Sequence, residues 1–227
     1  MAPTSPSASS PATAPWQSGE TAPLAHVGRL EPIKGTDVLV EAFAALAGEP
    51  HRQDVELVLV GDDSTPHAPQ LKDRVRDRRL ANVVFSGALD EAGVVQMLSS
   101  SLLSVVPSVC HENLPNALLE SLACGTPVVG SNVSAIAEAL ERSEAGALFD
   151  LGDSADLARV LALLLRDRPR LDTMSLNARQ LATTRYSPSR HLDALVGVLD
   201  EVRASRQSRR SQDHSAASPS SRPGGGA

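Results

Sequence analysis

Two carboxylates and two cations are the side chains of this sequence whose types and spacing could do chemistry. Glu112 and Glu120 lie in HENLPNALLESLACGTPVVG, residues 111–130, and Arg29 and Lys34 lie in GRLEPIKG, residues 28–35. On an unbroken helix, carboxylates at this spacing would stand about 12 Å apart along the axis and about 80° apart around it. Pro115, however, suits a first helical turn rather than an interior. Glu112 is therefore expected on a loop, and Glu120 is expected to follow the apolar residues Leu114, Ala117 and Leu118 into a helix that starts near Pro115. The unpaired N–H groups and positive dipole end at such a helix start are a ready-made diphosphate site. Taken singly, two Glu beside an apolar helix are its solvated face and a lone Arg or Lys is a surface charge; the neighbourhood gives them a sharper reading.

The elements that must position these groups follow from the hydropathy pattern. Short β-branched runs alternate with longer amphipathic segments, which argues for an α/β fold, a Rossmann-like parallel sheet with helices on both faces. The pattern predicts strands at Leu24–Val27, Val55–Val60, Asn82–Phe85, Leu102–Val106, Pro127–Val129 and Ala147–Phe149. It predicts helices at Thr36–Ala47, Ala68–Arg78, Asp90–Ser99, Pro115–Cys124, Ser134–Leu140, Ser154–Arg166, Arg170–Thr184 and Ser189–Ala204. Thr36, Asp90, Ser134, Ser154 and Ser189 are the expected N-caps. In an open parallel sheet, ligands gather at the carboxyl ends of the strands. Gly28, Gly61 and Gly87 each follow one of the first three strands, and Pro107 to Glu112 follow the fourth, so one edge of the sheet could collect them all. A single glycine there needs no more than a turn; their convergence is what points to a site.

Composition narrows the class of protein. With 227 residues, 41% of them hydrophobic, the chain can bury one substantial core. Residues 1–20 and 206–227 are rich in Pro, Ser, Ala, Arg and Gly, have little to bury, and are expected to be disordered tails around a domain spanning 21–205. The net charge of −6 leaves no footprint for nucleic acid, and the basic cluster from Arg203 to Arg210 reads as solvated tail. Cys110 and Cys124 form neither a disulfide framework nor a metal-ligand spacing, which fits a reducing cytoplasm. No apolar run reaches the length of a membrane span, and the N-terminus lacks the charged and apolar regions of a secretory signal.

The stretch 111–130 resembles the nucleotide-sugar signature of retaining glycosyltransferases of family 4, the group 1 type. In that family two Glu separated by seven residues precede an AxGxPVV segment, matched here by Glu112, Glu120 and residues 123–129. A second signature, GRLxxxKG, is matched by Gly28, Arg29, Leu30, Lys34 and Gly35. The resemblance covers about Ala25 to Arg203. It implies that Arg29 and Lys34 bind the donor diphosphate, that Glu120 contacts ribose hydroxyls, and that Glu112 lies by the transferred sugar. Main-chain groups of Asn113, Leu114, Asn116, Ala117 and Leu118 would face sugar and diphosphate, with Val84–Leu89 near the base. It also implies retaining transfer from a nucleoside-diphosphate sugar without cofactor or metal, the leaving phosphate taking up the acceptor proton on the same face of the sugar. Arg offers bidentate hydrogen bonds to phosphate and Lys a compact charge, a pairing suited to a departing diphosphate.

Two competing enzyme classes fit less well. A glycosidase uses a carboxylate pair across a glycosidic bond but has no need of a phosphate cradle, and Glu120 would sit inside a helix. A dinucleotide oxidoreductase carries GxGxxG after its first strand, whereas the spacing from Gly28 to Gly35 differs and brings two cations. His111 beside Glu112 is a candidate general base, with loop positioning or plain exposure the commoner role for such a histidine. Members of the family have two domains, and here GRL is reached by residue 30, so the resemblance covers the donor-binding half. The expectations are then a donor-binding part served by a separate acceptor-binding domain or chain, a nucleotide-sugar-binding module without turnover or truncated remnant, or a transferase complete in itself. The last helix would have its apolar face partly uncovered.

Overall fold

The computed structural model describes residues 21–46, 49, 54–111 and 113–216. Glu112, the proposed tail 1–20 and residues 217–227 lie outside the described residues. The chain divides into two units, one ending at Thr183 and the other beginning at Thr184.

In the first unit the strands are β1 Ala22–Val27, β2 Val55–Val60, β3 Val83–Gly87, β4 Leu103–Val106, β5 Val128–Ser131 and β6 Gly146–Phe149. The helices are α1 Thr36–Ala45, α2 Ala68–Asp77, α3 Glu91–Ser100, α4 Asn116–Cys124, α5 Ser134–Leu140, α6 Ser154–Leu165 and α7 Arg168–Thr184, with a 3-10 turn at Pro32–Lys34. All neighbouring strands pair in parallel, in the order β3-β2-β1-β4-β5-β6. This is the doubly wound arrangement expected of a Rossmann-like fold, and its strand order reverses between β1 and β4.

The strands form where apolar β-branched residues run together, because a parallel strand is covered on both faces. Side chains alternate across β1: Leu24 joins the large core built with Leu39, Phe43, Leu157, Leu161 and Leu164 of α1 and α6, while Ala25 and Val27 meet Val94, Met97 and Leu98 of α3 and Cys124 of α4. The β1–β2 register runs unbroken from Ala22↔Val55 to Val27↔Val60. Between β2 and β3 it shifts after Leu59↔Phe85, so that Val60 pairs with Gly87.

Helices α1, α2, α5 and α6 start where the pattern predicts, and α3, α4, α7 and α8 start within one or two residues of it; the caps differ more. Asp90 does cap α3, its Oδ1 accepting from the Gly93 N–H at 2.8 Å. Asp153 rather than Ser154 caps α6, accepting from Ala155 and Asp156. Gly35 occupies the cap position of α1, leaving Thr36 as a buried first-turn residue, and Val133 precedes α5, so Ser134 is already helical.

In the second unit, α8 spans Pro188–Ala216, with Ser187 Oγ rather than Ser189 accepting from the Arg190 N–H. The helix continues through residues 207–216, where composition suggested tail. Its apolar residues Leu192, Leu195, Val196, Val198, Leu199 and Val202 are all exposed. Among the described residues no helix is long and apolar enough to cross a membrane.

Candidate functional site

A cavity of 270 Å³ opens at the carboxyl edge of the sheet, between β1 and β4, where the strand order reverses. Such a switch point leaves a crevice because the helices on either side run off to opposite faces of the sheet. The cavity is lined by His26 and Val27 of β1, Gly28, Arg29 and Lys34 of the following loop, Val106 and Ser108 at the end of β4, and Pro115, Asn116, Ala117 and Glu120 at the start of α4.

The cation loop is shaped by Gly35. Its φ of 72° is left-handed, and a β-carbon there would overlap the Pro107 carbonyl, so only glycine fits. The Val109 N–H donates to the Ile33 carbonyl at 3.0 Å. These two approaches hold the loop after β1 against the segment after β4. Lys34 is half buried, whereas the Arg29 side chain is 64% exposed and pairs with Glu31 at 3.0 Å. An exposed pair of this kind is weak, so Arg29 can exchange Glu31 for a ligand anion at little cost.

Helix α4 points its N-terminus at the same cavity. Pro115 takes the cap position with extended backbone, and its own side chain makes no cap hydrogen bond. At the other end Gly125 adopts a left-handed conformation, and α7 holds the last carbonyls: Ser175 Oγ donates to the Gly125 oxygen at 2.6 Å and Arg179 Nη2 to the Cys124 oxygen at 3.2 Å. Leu118 and Leu122, fully buried, fix the helix against the sheet. The positive end of the helix dipole is thereby aimed at the space beside Lys34.

The structure thus brings together Gly28, Arg29, Lys34, Asn116, Ala117 and Glu120. Glu112 is outside the described residues. Asn113 is exposed and Leu114 half buried, and neither is part of the cavity wall. The Leu118 N–H donates to the Pro115 carbonyl at 3.0 Å, closing the first helical turn. Gly61 and Gly87 also stand outside the lining. Gly61 is needed for another reason, since a β-carbon there would overlap the Gly28 carbonyl, and its N–H donates to Gly87 at 3.0 Å. Of the segment Val84–Leu89, expected near a base, residues 84–87 belong to β3, about 10 Å from β1 across β2, and residues 88 and 89 follow the strand.

His26 is the participant that sequence reasoning missed. It is buried on β1, its Nδ1 lies 3.1 Å from the Val105 carbonyl oxygen, and its Nε2 has no hydrogen-bond partner. Burial pushes its pKa below the usual histidine range; the bond to Val105 opposes the shift and the charge of Lys34 adds to it. The sequence signal was a lone polar residue in the apolar run APLAHV. Cys124, by contrast, is a packing residue: burial raises its thiol pKa, and such a thiol is unreactive. Among the described residues no group of His, Cys, Asp and Glu is placed to hold a metal ion.

Comparisons with known proteins bear on the family and the fold. The family profile described as glycosyl transferases group 1 matches residues 22–167. The D-inositol 3-phosphate glycosyltransferase of Acidothermus cellulolyticus is 30% identical over 192 residues, covering 82% of this chain and 42% of that protein. Among solved structures, Anabaena HepE in complex with UDP and glucose superposes with a TM-score of 0.71 at 24% identity, covering 80% of this chain and 49% of that one. Sucrose-phosphate synthase from Thermosynechococcus elongatus gives 0.72 at 25% identity, covering 82% and 46%. The chain spans less than half the length of each of these relatives, and the part it spans has the Rossmann-like architecture of GT-B glycosyltransferases. On the family match and the fold together, this chain belongs to the group 1 glycosyl transferases.

Proposed function

We propose that the cavity between β1 and β4 binds a nucleoside-diphosphate sugar and that the chain serves as the donor-binding part of a retaining glycosyltransferase. The observation that carries this reading is the convergence of Arg29, Lys34 and the N-terminus of α4 on one cavity at the topological switch point. Three sources of positive potential around one small space suit a diphosphate. The same groups would stabilise the negative charge that grows on the diphosphate as the sugar departs. Glu120, exposed on α4 and part of the cavity lining, would accept hydrogen bonds from ribose hydroxyls. In this mechanism the bond from the sugar carbon to the leaving phosphate oxygen breaks and the acceptor oxygen attacks from the same face. The acceptor proton passes to that phosphate oxygen, and no protein nucleophile or metal takes part. The acceptor-binding domain is supplied by other residues of a longer polypeptide or by a separate chain. The structure of HepE, which contains UDP and glucose, supports a uridine nucleotide as the first donor to try.

Calorimetric titration with UDP-, GDP- and ADP-sugars tests the reading. Binding to one of them that is lost in Lys34→Ala is the expected result; a folded chain that binds none of them overturns it.

A further inference from the structure

The reaction proposed above leaves the His26 imidazole without a task, although it stands in the wall of the cavity. Its Nδ1 faces the Val105 carbonyl at 3.1 Å, and a carbonyl only accepts, so the proton of the neutral ring is on Nδ1. Nε2 is then a bare lone pair, buried and without a partner. A β-carbon on Gly28 would come within 3.5 Å of it, which places Nε2 directly beneath the loop that carries the cations. The charged groups of the same cavity are Arg29 and Lys34 on that loop and Glu120 on α4. The opposite face of β1 meets Val94, Met97 and Leu98 of α3 and Cys124 of α4, none of them charged. Burial and the neighbouring Lys34 both disfavour an imidazolium.

A diphosphate reverses both influences. Its charge offsets that of Lys34 and its oxygens can accept from Nε2–H. An unprotonated Nε2, in contrast, would set its lone pair against phosphate oxygens that have no proton to give. We propose that His26 takes up one proton from solvent when a nucleoside-diphosphate sugar binds, and then donates Nε2–H to the diphosphate while Nδ1–H stays on Val105. This rests on the nucleotide-sugar reading of the cavity. The only covalent change is the new N–H bond, and the buffer gives up the proton. His26 thereby becomes a positioning residue that ties donor affinity to pH. Affinity is highest below the free-state pKa of His26, falls by at most about tenfold per pH unit as pH rises towards the bound-state value, and is level above it.

The test uses the full chain and UDP-glucose, followed by GDP- and ADP-glucose. The diphosphate of a nucleotide sugar is esterified at both ends and keeps its charge across the neutral range, so any proton taken up is taken up by the protein. Titration in two buffers of different ionisation enthalpy at about pH 7 is expected to give net proton uptake. Histidine 15N spectra should change one ring from the neutral Nδ1–H form to the cation on binding. In His26→Phe, and in His26→Gln should the first variant fold poorly, both signals should vanish and the affinity should lose its pH dependence. Binding without proton uptake, or with uptake unchanged in these variants, overturns the proposal and leaves the donor site standing. A folded chain that binds none of the three sugars overturns the donor site and the proposal together.

Discussion

Two corners of the sheet's carboxyl edge look alike in sequence and differ in construction. At the junction of β1 with β2 and β4, backbone meets backbone so closely that β-carbons on Gly35 and Gly61 would overlap the carbonyls of Pro107 and Gly28. At the end of β3, a β-carbon on Gly87 would meet nothing within 4 Å. The crowded corner adjoins the cavity, and the open one is the uncrossed end of a strand. A glycine after a strand thus marks a site only where another part of the chain crosses it.

Substitution at the two corners gives the largest expected effect. Gly35→Ala adds a steric overlap to a left-handed backbone and should cost more than about 3 kcal/mol or prevent folding. Gly87→Ala should cost about 1–2 kcal/mol, for its φ of 74° alone. Urea denaturation of both variants measures the difference, and equal losses would erase the contrast between the corners.

Cations sharpen the comparison next. Lys34→Ala and Arg29→Ala should each weaken nucleotide-sugar binding by about 1.5–3 kcal/mol, the range for hydrogen bonds to charged groups, as read by titration calorimetry. Arg159, whose partner is Asp156 on the exposed side of α6, is the control: Arg159→Ala should leave binding unchanged.

A smaller effect concerns pH. His26 has a lowered pKa in the folded chain because of burial, while in the unfolded chain it titrates near the ordinary value of about 6.5. Between those two values the unfolded state holds more protons, so stability rises with pH across the window and is lost as pH falls below about 6.5. The slope should be at most about 1.4 kcal/mol per pH unit. Urea midpoints from about pH 7 downward should show it for the native chain, and much less of it for His26→Phe. The smallest effect belongs to the exposed pair itself: Arg159→Ala should shift stability by no more than about 0.5 kcal/mol in the same assay.

The order of elements was legible because each strand is an apolar run closed by a turn residue. Val55–Val60 and Ser134–Leu140 have the bounds the pattern predicts. Arg29, Lys34, Asn116, Ala117 and Glu120 were legible as a group because their motifs follow strands that end on one edge. Less legible were features fixed by distant chain. Gly61 and Gly87 both follow a strand, and what separates them is the carbonyl of Gly28, 33 residues away from Gly61 in sequence. His26 was visible as a polar break in an apolar run, but its orientation depends on Val105, 79 positions on. Asp153 and Ser154 are both good caps, and one residue of offset is decided by packing of α6 rather than by propensity. The continuation of α8 to Ala216 follows the helix-forming Arg, Gln and Ala of its last turns, although those turns were set aside as tail.

The loop after β1 and the segment after β4 are joined at two points, Gly35 against Pro107 and the Val109 N–H on Ile33. Mechanically they form a clasp. The position of the cationic loop relative to the end of β4 is thus set by backbone against backbone rather than by side chains.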